Sequence, residues 1–262
     1  MGGKIVPSFE AAVADIPDGA SIALFFWGFP GCPQNLIRAL RDHGARDLTV
    51  ISQAWFPFPL PEEAFTTPGV LLPQMRKLIT AYFVTFGRSA ELADQVETEQ
   101  ALEVETMSHG TLVARLRAAA GGLGGFYSPV GVGIVLEEGK EKRVINGREY
   151  LFELPLKPDF GFVKASMADE YGNLVYSGVT RGANPVIAMA AELTIAEVDR
   201  IVKPGELDPE SIVTPAVFVD RIVEVPEDGP GSYRHTMARL QELLSIEWAR
   251  TVFLSTKKEG QQ

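Results

Sequence analysis

Ile22-Ala23-Leu24-Phe25-Phe26-Trp27 is a continuous apolar run, followed at once by Gly28-Phe29-Pro30-Gly31-Cys32-Pro33. An uninterrupted run bounded by turn residues suits a strand covered on both faces, as in parallel sheets. Gln34 to His43 then reads as a helix, with Leu36, Ile37 and Leu40 on one face and Gly44 as its stop. Pro33 suits a helix start, where a missing N–H costs nothing. Leu48-Thr49-Val50-Ile51-Ser52 is a second strand. Strand, loop, helix and strand in that order make a βαβ unit, the building block of a parallel sheet.

Upstream, residues 8–16 read as a short helix with Ser8 as its cap, and Pro17-Asp18-Gly19 as a turn. Downstream, Leu78–Phe86 reads as a strand, Ser89–Val96 as a short helix and Leu102–Glu105 as a strand. Ser108–Ala120 reads as a helix capped by Ser108, with Leu112 and Leu116 inward. Asn146-Gly147 marks a tight hairpin. Strands are expected at Phe160–Ala165, Leu174–Tyr176, Leu193–Val202 and Pro215–Val225, with a helix opening at Asn184-Pro185. A last helix, Tyr233–Arg250, carries a stripe of Met237, Leu240, Leu244 and Trp248. Residues 54–73 hold five prolines and several aromatics, so no regular element is expected there; the segment is either a loop packed over its own core or a lid or partner-facing wall. The expected class is α/β, a mostly parallel sheet flanked by helices with a small β-rich part. It divides into one domain over residues 1–230 and a helix with a tail over 231–262.

Composition removes several functions. The chain has 262 residues, 46% of them apolar, enough for a sizeable core and against disorder. A net charge of −10 opposes phosphate tracking along nucleic acid. With one cysteine, Cys32, and three scattered histidines (His43, His109, His235), neither an internal disulfide nor a metal centre is expected. No membrane-length apolar run and no signal-peptide pattern occurs, so a cytoplasmic protein is expected.

Two glycine-rich loops could carry chemistry. Gly28–Pro33 lies between a buried strand and a helix N-terminus, where unpaired N–H groups favour an anion. It lacks both the dinucleotide fingerprint and the P-loop lysine. A tight connection and a ligand loop both remain open. The Gly121–Gly125 run allows close backbone approach or simple flexibility. Asp169–Asn173 reads as turn chemistry, His109 as a neutral or capping residue at a helix start, and Cys32 as a small packing residue. On these grounds alone no reaction is named.

The order of segments nevertheless resembles the α subunit of family I CoA transferases. The likeness runs from Ala101 to Val223. It rests on Leu102-Glu103-Val104-Glu105, His109-Gly110-Thr111-Leu112, Phe126-Tyr127-Ser128-Pro129 and Gly147-Arg148-Glu149-Tyr150-Leu151. Ala168–Tyr176, Asn184-Pro185 and Val202–Leu207 continue it, while Asp18-Gly19, Gly31-Cys32-Pro33 and Asn35-Leu36-Ile37 are similar to the N-terminal signature. Phe25-Phe26-Trp27 stands where that signature has Gly-Gly-Phe, and His109 where the family usually has Gln.

The resemblance implies an enzyme working with a β subunit, whose glutamate attacks an acyl-CoA and becomes a glutamyl-CoA thioester. CoA then passes to a carboxylic acid. No catalytic residue and no metal ligand is then expected in this chain. CoA enters as a thioester substrate, and no permanently bound cofactor is implied. The implied acyl and CoA wall is Phe25, Phe26, Trp27, Gly28, Phe29, Pro30, Gly31, Asn35, His109, Gly124, Gly125 and Phe126. The aromatic replacement keeps a second reading open, a CoA-thioester hydrolase on the same fold.

Overall fold

The computed structural model describes residues 3–27, 29–55, 66–83 and 102–243. The expected Ser89–Val96 helix, Gly28, half of the aromatic insert (residues 56–65) and the helix beyond residue 243 lie outside them.

An eight-stranded sheet forms the centre. Its strands are β1 (Ser21–Leu24), β2 (Leu48–Trp55), β3 (Met75–Phe83) and β4 (Glu103–Thr106) on one side. β8 (Phe160–Asp169), β10 (Leu193–Val202) and β11 (Arg221–Glu224) complete the order β11-β10-β8-β1-β2-β3-β4. All of these pairings are parallel, and the short β9 (Leu174–Val175) runs antiparallel against β8. β5 (Phe126–Ser128), β6 (Lys142–Ile145) and β7 (Arg148–Glu153) form a separate antiparallel sheet in the order β5-β7-β6. The fold class is therefore α/β with a small β-rich part.

The apolar run works by alternation. Ile22, Leu24 and Phe26 enter the core beneath helices Phe9–Val13 and Gln34–His43. Ala23 and Phe25 enter the core beneath helices His109–Ala120 and Asn184–Ala190. Side chains alternate along a strand, so a strand with apolar residues at every position must be covered on both faces.

Local signals act as the sequence predicts. Ser8 accepts from Ala11 N at 3.2 Å and Ser108 from Thr111 N at 3.0 Å, each filling a helix-end donor. Gly44 closes its helix in the left-handed region at φ 82°. Asn146 and Gly147 take φ 51° and 77°, the two positive values that a two-residue hairpin turn requires.

Three expectations are corrected. The first strand ends at Leu24, and residues 25–27 leave the ladder. Inside the proline-rich insert a 3-10 turn forms at Pro68–Gln74, because Pro68 occupies its first position, where no N–H is needed, and Thr67 caps it. Pro215–Val225 is only half strand: Ala216–Phe218 is a 3-10 turn, and pairing with β10 begins at Arg221.

Candidate active site

Strand order reverses between β1 and β8, and the chain leaves the sheet on either side of that point. In open α/β sheets ligands bind beyond the carboxyl ends of the strands at such a reversal. A cavity of about 750 Å³ lies there. Phe25 and Trp27, just beyond β1, Gln53 from β2 and Tyr82 from β3 form one side. His109, Val113 and Arg117 project from the His109–Ala120 helix, spaced four residues apart on one face. The segment Arg181–Met189 closes the other side through Arg181, Gly182, Pro185, Val186 and Met189.

Phe25 fits because two glycines make room for it. A Cβ on Gly182 would lie 2.3 Å from the ring's Cζ, and one on Gly31 would lie 2.7 Å from its Cε1. Asn184 fixes the two segments that carry these glycines. Its Nδ2 donates to Gly31 O at 3.0 Å and Thr180 O at 2.7 Å, and its Oδ1 accepts from Lys164 N at 3.2 Å. Phe26 points to the opposite core and meets Phe29 edge-on at 5.8 Å. Trp27 is 53% exposed; its ring stands nearly perpendicular to His109 at 5.0 Å and packs edge-on to Tyr82 at 5.6 Å.

Gln53 is the polar exception. It is 4% exposed, its Oε1 accepts from Phe26 N at 3.4 Å, and its Nε2 has no hydrogen-bond partner among the described residues. A buried amide donor with no partner costs free energy unless something from outside meets it.

The helix N-terminus behind the first glycine loop, where an anion would be favoured, is already filled by a carboxyl group of the protein itself. Glu197 of β10 is fully buried and accepts from Asn35 N at 2.9 Å, Leu36 N at 3.1 Å and Asn35 Nδ2 at 3.0 Å. Burial pushes its carboxyl upward, opposed by the Lys164 ammonium 3.5 Å away and by these N–H donors. Lys164, itself buried, pairs with Asp199 at 2.8 Å, and Asp199 accepts from Tyr233 N at 3.0 Å. Asn35 Nδ2 also donates to Pro230 O at 2.8 Å, and Gln34 Nε2 donates to Thr236 Oγ1 at 3.2 Å. The first turn of the C-terminal helix is thereby tied to the Gln34–His43 helix.

A sequence profile described as "Coenzyme A transferase" matches residues 6–225. The chain belongs to the coenzyme A transferase family. The A subunit of the 3-oxoadipate CoA-transferase of Pseudomonas putida is 40% identical over 227 residues, covering 86% of this chain and 95% of that one. The structure of an acyl-CoA transferase from E. coli O157:H7, in a thioester complex with CoA, superposes with a TM-score of 0.72 at 24% identity. That match covers 86% of this chain and 47% of the other. A second structure, a variant of the decarboxylase AibA/AibB, superposes with a TM-score of 0.67 at 29% identity. It covers 97% of this chain and 98% of that one.

In this coenzyme A transferase chain, then, the structure brings Phe25, Trp27 and His109 together at one cavity. Phe26, Phe29, Pro30, Gly31 and Asn35 lie beside or beneath it without lining it, and Asn35 is committed to Glu197. Gly124, Gly125 and Phe126 lead into the three-stranded sheet instead. Gly125 lets the chain pass Phe152, whose ring a Cβ would approach to 2.2 Å. Cys32 is a buried core residue, and burial raises its thiol well above the usual value, which suppresses the reactive thiolate. Sequence reasoning missed Gln53, Tyr82, Arg117 and Arg181. Gln53 had a signal, a polar side chain inside an otherwise buried strand. Arg117 had another, its eight-residue offset from His109 along one helix face.

Proposed function

We propose that this chain is the α subunit of a hetero-oligomeric CoA transferase that moves CoA from an acyl-CoA to a carboxylic acid. One observation carries the reading. The cavity supplies walls, an amide donor and two guanidinium groups, yet among the described residues no Asp, Glu, Ser or Cys lines it. Among the described residues the site offers an acyl group its walls but no carboxylate to attack the thioester, which fits a glutamate supplied by a second chain. The naming of its relatives as A or alpha subunits fits a partner chain.

In this reading a glutamate of the β chain attacks the thioester carbonyl, and the CoA thiolate leaves. The thiolate then attacks the glutamyl carbonyl of the mixed anhydride, releasing the first acid and leaving glutamyl-CoA. A second carboxylate reverses both steps. This is covalent catalysis with ping-pong kinetics. Gln53 Nε2 donates to the carbonyl oxygen where negative charge develops, a donor already in place before the reaction. Arg117 and Arg181 attract the anionic carboxylate and CoA, so the net negative charge of the chain is no obstacle. Phe25, Trp27 and His109 shape the acyl side, and Asn35 acts indirectly by holding the adjoining helix. CoA passes through as substrate, no cofactor is held permanently, and the enzyme works in the cytoplasm. Hydrolysis, the second reading, is not favoured, since the relative at 40% identity is named as a transferase.

The test is exchange. The purified complex is incubated with an acyl-CoA and an isotope-labelled carboxylate. Label entering the acyl-CoA pool with parallel-line kinetics is expected. Release of free CoA or CO2 without exchange contradicts the proposal.

A further inference from the structure

We infer that the cavity is built for an acid whose chain ends in an aromatic ring, an arylalkanoate, in preference to a straight-chain acid of similar length. This rests on the transferase reading above and narrows its substrate.

Four ring side chains from three segments converge on the cavity: Phe25 and Trp27 beyond β1, Tyr82 from β3, and His109 at a helix start. Trp27 stands edge-on to Tyr82 (5.6 Å, 70°) and to His109 (5.0 Å, 83°), while Tyr82 and His109 lie 6.4 Å apart at 36°. These are the separations and tilts at which aromatic quadrupoles attract, and a further ring entering the group gains the same contacts. Phe25 is locked in its glycine notch and gives a fixed floor. Val113, Val186 and Met189 complete an apolar lining, and methionine adapts readily to ring edges.

The polar groups fix the other end of the ligand. An aromatic cage alone would also suit a quaternary ammonium. Arg117 and Arg181 line the same cavity and repel a cation. They favour instead an anionic carboxylate, and the 4%-exposed Gln53 amide, with its unpartnered Nε2, offers that carboxylate a donor. A cavity of about 750 Å³ leaves room for a ring beside the thioester. The ligand is thus neutral and flat at one end and anionic at the other.

The experiment compares 3-phenylpropanoate with hexanoate on the complex with the partner subunit. Binding is measured by calorimetry, and exchange is measured separately with acetate, hexanoate and 3-phenylpropanoate. Tighter binding of 3-phenylpropanoate by about tenfold is expected, the scale of one or two aromatic contacts. Trp27→Ala and Trp27→Leu should erase most of that ratio, and Trp27→Phe should restore part of it. Trp27 is half exposed in this chain, so its truncation opens no core, and circular dichroism of each variant complex checks that the fold is kept. Equal binding of the two acids, or a ratio unmoved by Trp27→Ala, overturns the inference. If acetate exchanges while no aromatic preference appears, the inference fails and the transferase reading stands. If 3-phenylpropanoate binds preferentially and no acid exchanges, the transferase reading fails and the aromatic-binding cavity stands.

Discussion

Replacing Gly31 with alanine tests whether the glycine notch exists to admit Phe25. The added Cβ would sit 2.7 and 2.8 Å from Phe25 Cε1 and Cδ1, and 3.3 Å from Thr180 Cα. Carbon atoms in comfortable contact stay about 3.5–4.0 Å apart, so the ring must move by most of an ångström. Phe25 is 7% exposed and cannot swing out without opening its core, which puts the cost at roughly 1–3 kcal/mol. Gly31 is the informative partner because it does not have a positive φ, whereas Gly182 sits at φ 34° and would be strained by any side chain. Phe25→Ala alone should cost about 3–5 kcal/mol through the void it leaves. In that background the ring clash is gone and only the milder contact with Thr180 persists. Gly31→Ala should then cost less, giving a coupling of about 1–2 kcal/mol in a double-mutant cycle. Denaturant midpoints of the four proteins, followed by circular dichroism within the intact complex, measure this. A Gly31→Ala penalty of the same size in both backgrounds would refute the notch.

Two further outcomes follow from paired carboxyl groups, one buried and one half-buried. Glu197→Ala strips the carboxylate from two backbone N–H groups and leaves Lys164 with Asp199 alone. Thermal unfolding should show a loss of about 3–5 kcal/mol, and Glu197→Gln, which keeps an acceptor oxygen, should lose less. Glu105 tests acid sensitivity: burial raises its carboxyl, but hydrogen bonds from Lys77 and Arg115 outweigh that and leave it below its ordinary value of 4.5. A depressed folded value means that the stabilisation is complete above the ordinary value and is lost as pH falls through the folded one. After solvent screening it amounts to about 1 kcal/mol, so stability curves of wild type and Glu105→Gln should differ near neutral pH and converge in acid. A constant offset at every pH would contradict this.

The β1–helix–β2 unit was legible because each signal in it is local: an apolar run, a proline at a helix start, a glycine at a helix end. The hairpin at Asn146-Gly147 and the Ser108 cap were legible for the same reason. What stayed hidden depends on residues distant in sequence. Nothing near Gln34 announces that Glu197, some 160 positions later, fills its helix N-terminus; the sequence therefore left a ligand loop and a plain tight connection equally open. Phe25, Phe26 and Trp27 read as one block, but alternation sends Phe26 to the far face and leaves Phe25 and Trp27 at the cavity. Counting prolines also concealed the Pro68–Gln74 turn, because a proline at the first position of a helical turn is no obstacle.

The central claim is that this chain builds the acyl wall while a second chain supplies the nucleophile. Mass spectrometry of both subunits, after incubation with an acyl-CoA and reduction by borohydride, tests it most directly. Borohydride converts a glutamyl thioester to the corresponding alcohol, a fixed mass loss at one residue. The account predicts that loss on a single glutamate of the partner subunit, with this chain unchanged. The same loss on a glutamate of this chain, or no modified residue in either subunit while exchange proceeds, would contradict it.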